Sequence, residues 1–376
     1  MPSIIRPQLA TFSPPPVTNE DLDWADLAVI DLSKASDPDS QAELTKKVCD
    51  AMHNQGFFYV INHGWTAEQT ARMFDIANLA FTGVSEEQKQ KYSSNLKTTG
   101  SFQGYKPRQY WNIDNGVKDQ IEIFGINHQV TLREHPEALR PFLPEIEALA
   151  RHTHFDVIHP ILRMLAKGLE LPEDTLVDIH PFESPSETPI YEIVCYRRSQ
   201  EDEQKAKNVW LKGHTGDPGS VDIGSITVLY SQPVTALQFL GKDGKWRWVR
   251  HIENAMVINL GDCMEFLSGG YYKATLHRVV QPPEDQRVYD RLGLFYFLLA
   301  HDDVPLVPFS QSPVLQRVGI EYREGIAKEA QEPGLTVSAW RKHRTSVAQN
   351  LKSLTPTLRV HNVINLKDML NKFNLK

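Results

Sequence analysis

Five short apolar runs decide the fold of this chain: IYEIVCY (190–196), SITVLYS (225–231), LQFLG (237–241), AMVINLG (255–261) and LGLFYFLL (292–299). Each run is rich in β-branched and aromatic residues, which favour strands, and Gly, Asp and Pro turns separate the runs. Short strands at this spacing indicate a barrel or jelly roll rather than a doubly wound parallel sheet. The sequence has no glycine-rich dinucleotide-binding fingerprint, which agrees with this prediction. We therefore predict a mainly β protein with flanking helices.

Composition limits the partners and the compartment. The chain has 376 residues, 41% of them hydrophobic and 23% charged, so it can bury a large core. A net charge of −7 without a long basic run predicts no nucleic-acid partner, because nucleic-acid binders concentrate Lys and Arg on one face. No apolar run approaches the roughly 18 residues that cross a bilayer, and the N-terminal residues do not resemble a signal peptide. We expect a cytoplasmic protein without a membrane partner, and its three scattered cysteines fit a reducing compartment.

Helical patterns flank the strand-rich region. The stretch 41–54 has apolar residues at the spacing of a buried helical face, and helical periodicity returns from about residue 337 to residue 376. GFFYVINHG (56–64) predicts a strand that ends in a turn. The closing helical region is expected to pack on the barrel or to cover its mouth.

Two histidines in the strand-rich region suggest a metal site. His214 follows a glycine at the entrance to a strand, and His277 lies in a strand whose alternation puts the imidazole on one defined face. Two neutral imidazoles and one carboxylate form the facial triad of non-heme Fe(II) oxygenases, which leaves the opposite coordination positions open. We therefore predict an iron site that contains His214, His277 and one carboxylate.

The text around these histidines carries a specific resemblance. It reads GHTGDPGSVDIGSITVLYSQPVTALQFL (213–240), VINLGDCMEFLSGGYYKATLHRVVQ (257–281) and YDRLGLFYF (289–297). These segments resemble the 2-oxoglutarate-dependent dioxygenases of the isopenicillin N synthase-like family, and fungal secondary-metabolite members in particular. The resemblance implies Fe(II), 2-oxoglutarate and O₂ as cofactors.

The resemblance also implies an architecture and a reaction. A double-stranded β-helix (jelly-roll) core would span 186–305, after a collar of helices and strands over 1–185 and before a C-terminal helical extension over 306–376. Such an enzyme would hydroxylate, desaturate or cyclise a small apolar, ring-containing secondary metabolite, with release of succinate and CO₂. Two alternatives stay open at this point: an Fe(II) oxidase of the same fold that uses no 2-oxoglutarate, and a non-catalytic metal-binding barrel.

The carboxylate of the triad has two candidates. The family pattern has one residue between the first histidine and the aspartate, whereas GDPGSV (216–221) stands between Thr215 and Asp222. Asp222 is followed by IGSITVL (223–229), which matches the family text after its ligand. Asp217 precedes Pro and Gly, so it also suits a plain turn. We favour Asp222, and the departure implies a loop near the metal or an anomaly in the sequence.

A cosubstrate with two carboxylates needs a cation at the far end of its pocket, and an arginine satisfies a carboxylate with two bonds in one plane. Arg291, at the start of the last strand, is the candidate, and Arg287 in the preceding loop is a weaker one. The family has Ser or Thr where Gly293 stands, and glycine cannot donate a bond. Tyr196 matches the second tyrosine of the family's Asn-Tyr-Tyr stretch, and we expect its hydroxyl to supply that bond.

Three residues are predicted to contact the organic substrate, which is the expected small-molecule partner. Phe297 lies six positions after Arg291 and so on the same face of the strand. Glu192 lies on the strand that leads to Tyr196, and Phe102 lies in an aromatic loop expected near the entrance. The rings of that loop, Phe102, Tyr105 and Trp111, favour an apolar, ring-containing substrate.

The remaining histidines of interest are not expected to bind metal. His63 lies in a turn, and we predict that it bonds to the backbone because no partner at metal spacing is near it. His152, His154 and His159 are spaced by two, five and seven residues, which does not place all three on one helical face. We predict structural or solvated roles for them.

Overall fold

The computed structural model describes residues 9–95, 103–110, 112–114, 117–183, 189–196, 199–205, 209–211, 221–323, 326 and 334–353. His214, Asp217 and Phe102 lie outside these residues.

Strands make up the centre of the molecule. They are β1 (Val29–Asp31), β2 (Phe57–Ile61), β3 (Gly104–Lys106), β4 (Asn112–Asp114), β5 (Val117–Lys118), β6 (Ile121–Asn127), β7 (Pro189–Cys195), β8 (Val209–Leu211), β9 (Ile226–Tyr230), β10 (Leu237–Leu240), β11 (Trp246–Trp248), β12 (Met256–Leu260), β13 (His277–Val280) and β14 (Arg291–Leu298).

Helices flank the strands. The α-helices are α1 (Pro38–Asn54), α2 (Ala67–Thr82), α3 (Glu86–Lys91), α4 (Leu143–Arg151), α5 (His159–Gly168), α6 (Thr175–Asp178), α7 (Gln200–Lys205), α8 (Asp262–Leu267), α9 (Pro313–Val318) and α10 (Val337–Ser353). A π-helix, His152–Ile158, joins α4 to α5. Single 3₁₀ turns span Leu32–Lys34, Val130–Leu132, Arg140–Phe142 and Glu284–Gln286.

Two sheets form the core. The large sheet has the order β1-β2-β12-β9-β14-β7-β6-β3, and the small sheet has the order β11-β10-β13-β8. Among the described strands of these sheets, neighbours pair antiparallel except β1 with β2. From β7 to β14 the chain passes from one sheet to the other at every step except β10 to β11, which are neighbours in the small sheet. The arrangement is therefore a jelly roll with flanking helices, as predicted.

Side-chain alternation divides the core into two layers. On β14, Leu292, Leu294 and Tyr296 pack against the helices, together with apolar residues of β9 and β12. The opposite face of the large sheet meets the small sheet, where Leu229 and Phe239 belong to a second cluster. The same strand therefore supplies one face to the helical layer and the other to the interior of the jelly roll.

The predicted helical and strand segments near the N-terminus are confirmed. Helix α1 begins after Asp37, whose side chain accepts the Asp39 amide, and it buries Leu44, Val48 and Met52 as the spacing predicts. Strand β2 coincides with the predicted FFYVI run and ends at Ile61, and the next residue, Asn62, has φ of 52°. Strand β2 pairs with β12, and β6 pairs with β7. The predicted collar over 1–185 therefore shares one sheet with the predicted core over 186–305.

A histidine-rich layer lies where the π-helix meets the large sheet. His154 is buried, its Nε2–H donates to the His180 carbonyl at 3.1 Å, and its Nδ1 accepts from the Tyr296 hydroxyl at 2.9 Å. His180 donates from Nδ1 to the Leu176 carbonyl and accepts from the Ser225 hydroxyl at 2.7 Å. These contacts confirm a structural role for His154. His63 bonds to the Asn254 carbonyl, as predicted for a turn histidine.

Candidate active site

Asp222 lies just before β9, at the end of the jelly roll where β13 begins. Its Oδ2 accepts bonds from Thr227 Oγ1 at 2.6 Å and Asn259 Nδ2 at 2.8 Å. Thr227 and Asn259 pair across β9 and β12 and point into the interior, opposite the helical layer. Burial alone would raise the pKa of Asp222, but the facing His277 and the two donors outweigh it and hold the pKa at about 2. The carboxylate is therefore kept ionised, with one oxygen fixed.

His277 is the first residue of β13 and faces Asp222. Its Nδ1–H donates to the Thr275 carbonyl at 3.0 Å, and its Nε2 lies 3.5 Å from Asp222 Oδ1. Burial opposes the charged imidazole, but the Asp222 carboxylate outweighs this effect and raises the pKa of His277. A histidine whose second ring nitrogen donates to a backbone carbonyl is typical of metal sites, because that bond fixes the tautomer and the ring plane.

Asp222 and His277 fit a shared metal ion. Metal bonds of roughly 2.0–2.2 Å at right angles would place the two donor atoms roughly 3 Å apart, close to the 3.5 Å between Nε2 and Oδ1. The side chains are 19% and 13% exposed, so an ion from solvent can reach them. Within the part of the chain that the structure describes, no group of three or more His, Cys, Asp or Glu side chains could hold a metal. The predicted third ligand, His214, lies outside that part.

Arg291 begins β14 at the other end of the interior. It is 3% exposed, and its Nε–H donates to the Val234 carbonyl at 3.4 Å. A small cavity beside it is lined by the interior residues Leu229 and Leu237, with Ser231 at its rim. The cavity is also lined by the polar residues Gln232, Thr235 and His251. A guanidinium at this end of the interior can hold a carboxylate that enters from the metal end.

Gly293 stands where the family has a hydroxyl residue, and its neighbour explains the difference. A Cβ at Gly293 would lie 2.6 Å from a carbon of the Phe295 ring and 3.5 Å from Arg291 Nη1. The Phe295 ring therefore takes the space that a serine or threonine side chain would need.

The geometry does not support the predicted role of Tyr196. Its ring packs against the helical layer, beneath the guanidinium of Arg108, and its hydroxyl donates to Glu122 Oε2 at 2.8 Å. Val194, two residues earlier, belongs to the same layer, whereas Arg291 lines the interior cavity. Tyr196 is thus on the wrong side of the large sheet to share a carboxylate with Arg291.

The predicted substrate residues differ in their placement. Phe297 is half-buried, pairs with Thr227 across β14 and β9, and stacks on Phe295 with ring centroids 5.8 Å apart. It therefore lies on the strand next to the residue that holds Asp222. The backbone of Glu192 pairs with Leu294 on one side of β7 and with Phe124 on the other. Phe102 lies outside the described residues.

Sequence reasoning missed the two donors to Asp222. Thr227 follows Asp222 by five residues within IGSITVL, and Asn259 lies in VINLGD. Both are polar residues at interior positions of otherwise apolar strands, and this break in the pattern could have pointed to them. That both side chains bond Asp222 follows from the pairing of β9 with β12, which the sequence does not show.

Comparisons with known proteins define the class. The family model described as the 2OG-Fe(II) oxygenase superfamily matches residues 192–299. The model described as the N-terminal region of the non-haem dioxygenase in morphine synthesis matches residues 27–145. The chain belongs to the 2OG-Fe(II) oxygenases. The predicted enzyme class, a 2-oxoglutarate-dependent dioxygenase, and its cofactors, Fe(II), 2-oxoglutarate and O₂, are confirmed.

Particular relatives include two fungal enzymes. The chain is 29% identical over 294 residues to the 2-oxoglutarate-dependent dioxygenase frbH of Dothideomycetidae sp., covering 76% of this chain and 86% of that one. It is 26% identical over 306 residues to the 2-oxoglutarate-dependent dioxygenase tropC of Talaromyces stipitatus, covering 75% and 87%. The crystal structure of a full-length Neurospora crassa protein in complex with alpha-KG matches with a TM-score of 0.70 at 19% identity, over 89% of this chain and all of that one. That likeness confirms the jelly-roll fold.

Among the described residues, no helix combines the length and the apolar character needed to cross a bilayer.

Proposed function

We propose that this enzyme hydroxylates, desaturates or cyclises a small apolar, ring-containing secondary metabolite, with release of succinate and CO₂. The observation that carries the proposal is the aromatic lining beside the Asp222–His277 pair. The Phe57 ring lies edge-on to His277 with centroids 5.7 Å apart, Phe239 is the cross-strand partner of His277, and Phe297 lies on the strand next to Thr227. Phe57 and Phe239 are buried and Phe297 is half-buried. The accessible part of this aromatic cluster is therefore the Phe297 ring, which favours a flat, apolar substrate over a charged one.

The proposed site divides its tasks among the residues of this chain. Asp222 and His277, together with His214, would hold the iron, while Thr227, Asn259 and the Thr275 carbonyl fix the orientation of the first two. Arg291 would bind the distal carboxylate of 2-oxoglutarate. Bound iron and 2-oxoglutarate supply O₂ activation coupled to decarboxylation. The apolar interior excludes water from the site and positions the substrate.

The two fungal relatives described above are 2-oxoglutarate-dependent dioxygenases. Membership of the same class of enzyme is the support that they give for a role in secondary metabolism. Phe297 is the described residue best placed to contact the substrate, since its ring is only half-buried while Phe57 and Phe239 are buried. The half-buried ring would therefore select among ring systems, and the buried rings would support it.

A turnover assay tests the proposal. The protein is loaded anaerobically with Fe(II), and succinate is measured with 2-oxoglutarate, O₂ and panels of polyketide, terpenoid, flavonoid and peptide compounds. We expect apolar ring compounds to raise succinate formation above the rate without substrate, and peptides to leave it unchanged. Stimulation by charged, acyclic compounds alone would contradict the proposed substrate class.

A further inference from the structure

The Gly261–Asp262 turn after β12 lies directly behind the Asp222 loop. The Asp262 amide donates to the Asp222 carbonyl at 2.7 Å, and the Cys263 amide donates to the Gly224 carbonyl at 3.1 Å. A Cβ at Gly261 would lie 2.3 Å from the Gly224 carbonyl oxygen and 2.6 Å from that of Asp222. The start of α8 thus holds the backbone of the proposed metal carboxylate, at a distance that only glycine permits.

The side chain of Asp262 connects this turn to the C-terminal part of the chain. It is fully buried and is bonded by the guanidinium groups of Arg323 and Arg344 and, at 3.2 Å, by Trp340 Nε1. Trp340 and Arg344 are buried residues of α10. A buried carboxylate needs such compensation, so Asp262 and α10 keep each other in place.

Arg344 also reaches the Asp222 loop directly. Its Nη1 bonds Asp262, while its Nη2 donates to the Val221 carbonyl at 3.1 Å. One guanidinium therefore bridges the residue before Asp222 and the turn that holds the Asp222 carbonyl. The planar fork of arginine makes both bonds in a fixed geometry, which a flexible lysine could not reproduce.

We infer that Arg344 and Trp340 of α10 are positioning residues for the metal site, acting on Asp222 through Asp262 and the Val221 backbone. The inference rests on the proposed role of Asp222 as a metal ligand. On this inference the C-terminal extension does more than pack on the jelly roll. Substitutions in α10 would change the affinity of the site for the metal ion.

Mn(II) binding to the full-length chain, measured by electron paramagnetic resonance well below the melting temperature of every variant, tests this inference. We expect Arg344→Gln to weaken Mn(II) binding on the order of tenfold, as found for residues that orient metal ligands. Trp340→Phe, which keeps the packing and removes one N–H donor, should weaken it by a smaller, measurable factor. Arg341→Gln is the matched control, since Arg341 lies on the same helix and pairs with Asp302 at 3.1 Å.

The outcomes separate the inference from the site assignment. Arg341→Gln should lower the melting temperature without changing Mn(II) affinity, whereas Arg344→Gln should change both. Equal Mn(II) affinities for these two variants would overturn the inference. If Arg344→Gln does not fold, Trp340→Phe decides alone, and wild-type affinity in that variant would overturn it. Wild-type Mn(II) binding by Asp222→Ala would instead refute the site assignment.

Discussion

Thr227 and Asn259 set the orientation of the proposed metal carboxylate at the scale of single residues. Both bond the same oxygen, Asp222 Oδ2, so Oδ1 is the atom directed toward His277. A carboxylate with one oxygen held in this way loses little rotational freedom when it binds a cation.

Removing the Thr227 hydroxyl tests this arrangement. We expect Thr227→Val to weaken Mn(II) or Fe(II) binding on the order of tenfold, since Asp222 would lose a charge-assisted bond and its fixed orientation. Thr153→Val is the control, because that buried hydroxyl bonds Tyr230 at 2.7 Å on the helical side of the large sheet. Metal titration of both variants measures the effect, and equal affinities would refute the proposed role of Thr227.

Arg291 is expected to decide the affinity for 2-oxoglutarate. Arg291 is 3% exposed and lines the small cavity at its end of the interior. Hydrogen bonds to a charged group are worth roughly 1.5–3 kcal/mol each, so Arg291→Leu should raise the KM for 2-oxoglutarate at least about tenfold. Arg287→Leu should change it little, because Arg287 is exposed. Steady-state succinate formation measures both constants, and the reverse order would move the cosubstrate pocket toward the 284–290 loop.

Strand β14 combines two functions at the scale of the element. Its even-numbered residues build the helical layer. On the other face of the strand, Arg291 lines the small cavity, and Phe297 packs beside the cluster that contains Phe266 and Trp340. One strand thus places the proposed cosubstrate residue and the proposed substrate residue on one face.

Phe297→Ala separates these two functions. Loss of the ring removes roughly 1.5–3 kcal/mol of apolar contact, so the KM for the organic substrate should rise about tenfold or more, while the KM for 2-oxoglutarate should stay unchanged. Tyr296→Phe on the same strand is the control, since the Tyr296 hydroxyl bonds His154 on the helical side. An unchanged substrate KM in Phe297→Ala would remove Phe297 from the substrate site.

The positions of the strands could be predicted from the sequence, but one face assignment could not. Runs such as SITVLYS and LGLFYFLL are strands in the structure because β-branched and aromatic residues favour pleated backbone. The resemblance predicts that the Tyr196 hydroxyl bonds the cosubstrate, but the run IYEIVCY is apolar along most of its length, so alternation does not show which face is inward. Only the pairing of β7 with β14 and the contacts of Tyr196 settle its side.

Local sequence patterns also did not predict which strands pair when the strands are far apart in the chain. The parallel pair β1 with β2 joins the large sheet through β12, about two hundred residues later in the chain. The bonds of Asp222 to Asn259 and of Asp262 to Arg344 depend on such contacts, whereas the candidates Asp222, His277 and Arg291 were visible in the sequence.

The histidine-rich layer should make the whole molecule sensitive to acid. Burial first, and neighbouring imidazoles second, lower the pKa of His154 to about 3, and burial lowers that of His180 to about 4. Below the ordinary histidine pKa of about 6.5, the unfolded chain binds protons that the folded chain excludes, so stability falls as the pH falls.

A variant isolates this effect. When the pH falls from 7 to 5, His154 should lower the free energy of unfolding of the wild type by about 2 kcal/mol. Glutamine can keep one donor and one acceptor at this position but does not titrate. The His154→Gln variant should therefore lose about 2 kcal/mol less stability than the wild type over the same pH range. Urea unfolding at both pH values measures the difference. Equal losses in wild type and variant would show that His154 is protonated in the folded protein.

Metal binding by Asp222→Ala and Asp217→Ala tests the central claim, that Asp222 and His277 form the iron site together with His214. Asp222 lies in the loop before β9 and is held there by Thr227, Asn259 and the Asp262 amide. Displacement of a ligand by about 1 Å is enough to lose much of the function. Anaerobic Fe(II) titration, followed by a succinate assay, should find no binding or turnover in Asp222→Ala and nearly wild-type behaviour in Asp217→Ala. An active Asp222→Ala beside an inactive Asp217→Ala would contradict the claim and place the ligand in the inserted residues 216–221.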